Sequence, residues 1–290
     1  MSKQDRDRVK KERETQDVLN EFVRTCKIDF AKLVKEKEKE QLKERDPQSM
    51  YLLAGGYARG LFGIKQDWEK ARFWMEEAAK AGSIEATCDL ASMYMNGQIK
   101  EGDLKENHAK AFQLYRKAAR HKVAVAYGNL GECYYQGLGV EQDYDEAMRW
   151  YKKAAAHGDE HAYYCIGRCY LDGNGVHKNY KTGMRYMRKA YDCGIGRAAF
   201  QIGNCYLTGF GVDVDLEKAI GWYRKAADLE EPRAYLVLGK FYLDGKGVEK
   251  NEEEGWRLIE KAAYGNIEGD LAEAKRLLEE RDAKKEDEEQ

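Results

Sequence analysis

A-Y-G-N-L-G-E-C-Y-Y-Q-G-L-G-V-E-Q-D-Y-D-E-A-M-R-W-Y-K-K-A-A-A-H-G, running from Ala126 to Gly158, is the stretch whose reading decides the fold. Its skeleton returns from Ala162, Ala198 and Ala234, each 36 residues after the last. The middle glycine shows the step directly, at Gly137, Gly173, Gly209 and Gly245, and earlier copies place it at Gly60 and Gly97. A fixed period of this size marks a solenoid, in which no single unit can bury its apolar face alone.

Each copy holds two apolar runs with helical spacing. In the first, Ala126, Leu130 and Tyr134 fall at i, i+4 and i+8, with Gly131 beside them. The matching glycines are Gly167, Gly203 and Gly239. That spacing lays one buried stripe along a helix, here helix A. A glycine inside a helix costs about 1 kcal/mol against alanine, and the return expected for it is a close approach to the paired helix. The second run, helix B, is Ala147, Trp150, Tyr151, Ala154 and Ala155. Between the two lies G-x-G-V, as at Gly137 to Val140. Its first glycine is expected to end helix A in a left-handed conformation. Asp143, Asn179, Asp215 and Asn251 stand where helix B needs its N-cap. Gly158 and Gly194 are expected to end helix B in the same manner as Gly137 ends helix A.

These residues resemble the Sel-one-like repeat, a branch of the tetratricopeptide-like α/α solenoids. The resemblance covers about residues 50 to 266 in six copies. It implies an all-α, right-handed α/α superhelical solenoid and an adaptor or scaffold role in a protein complex. Some disulfide-rich bacterial relatives have been credited with β-lactamase activity. The sequence divides accordingly into a charged amphipathic helix and linker over 1–46, the six-repeat solenoid over 47–266, and a capping helix with an acidic tail over 267–290.

Composition narrows the function. Formal net charge is −2 with 35% charged residues, which argues against non-specific nucleic-acid binding. No apolar run approaches membrane-spanning length, and the first residues lack the apolar core of a secretory signal. Seven cysteines without paired spacing in each repeat predict reduced thiols and a cytoplasmic location.

Ahead of the repeats, Val18, Phe22, Cys26, Phe30 and Val34 recur every four residues. They predict an amphipathic helix. It either covers the open end of the first repeat or, through Phe22 and Phe30, docks a partner or a second copy of the chain. Repeat 1 is one residue longer between its helices, at Gly60 to Ile64. In repeat 2 the glycine step is four residues longer; the excess falls in Gln98 to Glu106 and predicts a surface loop. After the last repeat, Leu271, Ala274, Leu277 and Leu278 predict a capping helix, and the tail from Glu279 is expected to be frayed.

Motifs for chemistry are few. The G-x-G-V turns follow a helix and recur four times, so they are structural turns and not dinucleotide cradles. Cys133, Cys169 and Cys205 share one repeat position and are read as small apolar fillers. His161, Cys165 and Cys169 fall at i, i+4 and i+8, but three ligands strung along one straight helix do not easily share an ion. No nucleophile set stands outside the repeat grammar. The reading is therefore a non-enzyme with no cofactor and no metal. A permanent subunit of a larger assembly and a hydrolase of the β-lactamase-like kind are the alternatives.

At about 100° per residue, positions two, three, six and ten after the first alanine of helix A point away from its buried stripe. The resemblance implies that the A helices line a concave face. Tyr164, Phe200 and Leu236 would then form a ladder there, flanked by Arg168, Asn204 and Lys240, with Asn129 on the neighbouring repeat. Apolar anchors with a polar rim suit a peptide or helix of a partner protein. The alternative is that these large side chains pack against the next repeat.

Overall fold

The computed structural model describes residues 45–60, 65–99, 102–263 and 268–289. The amphipathic segment with Phe22 and Phe30, and the Leu61 to Ile64 part of the first connection, lie outside them. Among the described residues are thirteen helices and no strand. The chain is an all-α solenoid of six repeats. By its contacts it divides into two compact units, parted after Ala162.

The first unit holds α1 (Pro47–Arg59), α2 (Trp68–Lys80), α3 (Ile84–Met95), α4 (Leu104–Ala119), α5 (Ala124–Gln136) and α6 (Tyr144–Ala156). The second holds α7 (His161–Asp172), α8 (Tyr180–Asp192), α9 (Gly196–Thr208), α10 (Leu216–Asp228), α11 (Pro232–Asp244), α12 (Glu252–Ala263) and α13 (Glu268–Glu289). Odd-numbered helices through α11 are the A helices, and even-numbered ones the B helices.

The expected caps form. Gly137, Gly209 and Gly245 follow α5, α9 and α11 directly at φ 72°, 79° and 67°. Asp143, Asn179, Asp215 and Asn251 each accept a backbone N–H from the first turn of the B helix at 2.9–3.0 Å. The second glycine of the turn is dictated by packing. A Cβ on Gly247 would stand 2.7 Å from both Leu216 Cδ2 and Ile220 Cδ1 of the preceding B helix. The B helices end differently from the expectation. His157 and Cys193 follow α6 and α8 with negative φ, and Gly158 and Gly194 take positive φ one residue later.

The helix A glycine does two different jobs. In repeats 3 and 5 a Cβ on Gly131 or Gly203 would collide with the ring of Tyr151 or Tyr223 on the paired B helix. In repeats 4 and 6 the B helix carries Met187 or Ile259 there, and a second glycine, Gly183 or Gly255, lets the backbones close in. A Cβ on Gly239 would stand 2.8 Å from the Gly255 carbonyl oxygen.

Two sequence readings are corrected. The insertion in repeat 2 is not simply a loop. α4 has 16 residues where α6 has 13 and starts about a turn early, capped by Asp103. What remains is pinned: Ile99 is buried and its carbonyl accepts from Asn107 Nδ2 at 3.2 Å. The tail is not frayed from Glu279, because α13 runs to Glu289. Ala274 is fully buried against α11 and α12, with Leu277 and Leu278 beside it.

Candidate partner-binding surface

The second unit carries most of the residues singled out as contacts. On α7, Tyr164 and Arg168 are half-buried. On α9, Phe200 is half-buried, its ring 5.5 Å from that of Tyr223, and it packs on Ala199, Ala226 and Ala234. Asn204 accepts the Tyr223 hydroxyl at 2.8 Å and donates to Gln201 Oε1 at 3.3 Å. On α11, Leu236 is only 3% exposed, and Lys240 donates to Glu273 of α13 at 2.5 Å. The C-terminal helix of the chain thus occupies the α11 end of this face. In the first unit, Asn129 is half-buried on α5, and Glu132 accepts the Tyr151 hydroxyl at 2.5 Å.

Two arginines join this set that the sequence reading passed over. Burial pushes the Tyr164 phenol up, and the guanidinium groups of Arg168, Arg197 and Arg233 pull it the other way. The last two also stand 3.9 Å from the carboxylate of Glu231, which is buried between them. The signal was present: Arg197 and Arg233 each precede the first alanine of their A helix, and at 100° per residue that place falls between positions three and six. A cavity of about 330 Å³ lies beside Asn204, lined by Gln201 and Thr208 of α9 and by the stacked rings of Tyr180 and Phe210. The surface is therefore two aromatic side chains among three guanidinium groups and an amide. Such groups can grip carboxylates and backbone carbonyls of an extended chain.

Burial pushes the Cys133 thiol up to about 12 and the Cys88 and Cys205 thiols up to about 11. They stay protonated at neutral pH, and the thiol is a poor nucleophile and ligand. Among the described residues no three His, Cys, Asp or Glu side chains converge on a common point. No helix among them is long and apolar enough to cross a membrane.

The pattern has known counterparts. The Sel1 repeat model matches residues 47–83, 84–123, 124–159, 161–195, 196–230 and 232–267, and the chain belongs to the Sel1 repeat family. A Sel1 repeat protein from Oxalobacter formigenes is 32% identical, with a TM-score of 0.68 over 77% of this chain and 87% of that one. The protective antigen c5321 of uropathogenic Escherichia coli is 29% identical, with a TM-score of 0.62 over 79% of this chain and 48% of that one. Among curated proteins, chitin synthase regulatory factor 3 of Schizosaccharomyces pombe is 32% identical over 94 residues, 31% of this chain. The ERAD-associated E3 ubiquitin-protein ligase component HRD3B of Arabidopsis thaliana is 32% identical over 103 residues, 36% of this chain. Those stretches amount to only 10% and 15% of the two relatives' own lengths.

Proposed function

We infer that this chain is a non-catalytic interaction module that holds an extended or helical segment of another protein along the A-helix face of α7 and α9. The observation that carries this reading is the set Tyr164, Phe200, Arg168, Arg197 and Arg233, in which half-buried rings sit among guanidinium groups. Asn204 adds a fixed amide, and Leu236 with Lys240 marks the end of the track, where α13 begins to cover it. Three guanidinium groups around Tyr164, two of them facing the one buried carboxylate of Glu231, favour a partner segment rich in acidic residues. Sel1 repeats generally mediate protein–protein contacts, and both curated relatives are named for a part in regulation or in a multi-component ligase.

The test is capture of the partner from native extract by the full chain, compared with Phe200→Ala/Arg168→Ala and with Arg197→Glu/Arg233→Glu. Arg197 is exposed and Arg233 half-buried, and both face the buried Glu231, so the melt of the second pair is read beside its capture. Both are expected to lose capture while melting as cooperatively as the parent. Unchanged capture by two well-folded variants would end this reading.

A further inference from the structure

The B helices carry a lysine 36 residues apart: Lys117, Lys153, Lys189, Lys225 and Lys261. Four of the five lie over rings supplied by the chain itself. Lys153 Nζ is 4.3 Å from the Tyr127 ring and 5.0 Å from Trp150. Lys189 is 5.5 Å from Tyr163 and 5.7 Å from Tyr186, Lys225 is 4.1 Å from Trp222, and Lys261 is 4.3 Å from Tyr235. Each is a cation–π contact.

Repeat 2 breaks the rule twice. Thr87 stands where repeats 3 and 4 have Tyr127 and Tyr163, and Leu114 stands where repeats 3 to 5 have Trp150, Tyr186 and Trp222. Among the described residues Lys117 lies over no ring; it donates to the Ala79 carbonyl at 3.3 Å. Beside Leu114 a groove of about 540 Å³ opens between α2 and α4, floored by Leu90 and Tyr94 of α3. Its floor and walls are overwhelmingly apolar. Its rim carries Lys110, which lies 5.3 Å from the Tyr94 ring, and Lys117, with Glu76 accepting the Tyr94 hydroxyl at 3.4 Å and Lys80 ion-paired to Glu77 at 2.7 Å.

We propose that this groove is a second docking site, filled by an aromatic side chain of a partner segment whose flanking residues are acidic. The ring takes the place that Trp150 and Trp222 hold in their own repeats and lies beneath Lys117. Carboxylates on either side meet Lys110 and Lys117. This site lies in the first unit and does not depend on the A-helix reading of the second. Its chemistry is dictated by the ring missing at Leu114 and by the ammonium groups of Lys110 and Lys117 on its rim. The ring supplies apolar burial, and the acids supply the sign of charge that the rim selects.

The experiment titrates the full chain into a fluorescein-labelled peptide, Gly-Asp-Glu-Trp-Glu-Asp-Gly, and reads anisotropy. Controls carry alanine for the tryptophan or glutamine and asparagine for the acids. Saturable binding is expected, weakened at least about tenfold by either control. Leu114→Trp, which restores the ring found in repeats 3 and 5, is expected to abolish binding while melting at or above the parent temperature. Lys110→Glu/Lys117→Glu is expected to weaken binding at least about tenfold and leaves the apolar floor untouched. The proposal is overturned if no saturable binding occurs, if either control peptide binds as well as the probe, or if Leu114→Trp still binds. It is also overturned if Leu114→Trp changes the sedimentation of the chain, since a second copy or the chain's own N-terminal segment would then be the occupant.

Discussion

The ring of Tyr223 stands where Gly203 would carry its side chain: a Cβ on Gly203 would lie 2.7 Å from Tyr223 Cε1. The hydroxyl of the same tyrosine reaches Asn204, the next residue of α9. One glycine therefore sets how deeply a B-helix tyrosine enters its repeat, and it also places an amide of the candidate binding surface.

Gly203→Ala should destabilise the protein by about 1–3 kcal/mol, because the overpacked ring has to move. The reverse is expected on the paired helix. Gly221 lies inside α10 with nothing within 4 Å of a built Cβ, so Gly221→Ala should gain about 1 kcal/mol of helix propensity. Urea unfolding midpoints of the two variants should shift in opposite directions. A shift of the same sign would disprove the packing argument.

Lys122 and Glu230 hold the left-handed conformation at φ 61° and 58°, at the place where Gly158 and Gly194 hold it in other repeats. A side chain there is strained, whereas glycine is not. Lys122→Gly and Glu230→Gly should each stabilise by about 0.5–1 kcal/mol, the net of relieved strain and greater unfolded-state freedom. Thermal melts of the single variants and the pair check this, and additive gains are expected because the sites are far apart in sequence and share no partner.

The buried thiols make the protein sensitive to alkali. Below pH 9 Cys133 is protonated in both folded and unfolded chains, and pH has no effect through it. Between pH 9 and about 12 the unfolded chain releases the proton while burial holds it in the folded one. Each rise in pH then favours unfolding, by about 1 kcal/mol for this thiol at pH 10. Denaturation at pH 7.5 and pH 10 should show the loss, and Cys133→Ala should reduce it.

Arg281 fastens α13 to the last repeat. Its guanidinium is 2.7 Å from Glu260 and 5.3 Å from the centre of the Trp256 ring. Arg281→Ala should loosen α13 by about 1 kcal/mol through lost stacking and pairing. Limited proteolysis should then cut between α12 and α13 several-fold faster, with the rest of the chain as resistant as before.

Much of this was legible because it repeats. Helix A, helix B, the left-handed glycines and the Asp or Asn caps follow from local rules applied at one spacing. The partner surface was legible only in part. Helical projection found Tyr164 and Phe200 but stopped short of Arg197 and Arg233, which sit one residue ahead of the alanine that was taken as the start. It also put Leu236 and Lys240 on an open ladder, since nothing in a single repeat tells that α13 packs over α11. The insertion of repeat 2 read as a loop because the loss of Gly and Val was visible, whereas the extra turn of α4 depended on Asp103 capping earlier.

By itself, the sequence determined the period, the two helices of each repeat and the turns that reverse the chain, because backbone conformation and apolar spacing are properties of neighbouring residues. Tertiary structure decided what each recurring position touches. Gly131 and Gly203 receive a ring, while Gly167 and Gly239 lie against a second glycine. Lys153 covers its own tryptophan, whereas Lys117, with Leu114 in place of that ring, borders an open groove. Those differences arise from the size of side chains far apart in the sequence, and only packing brings them together.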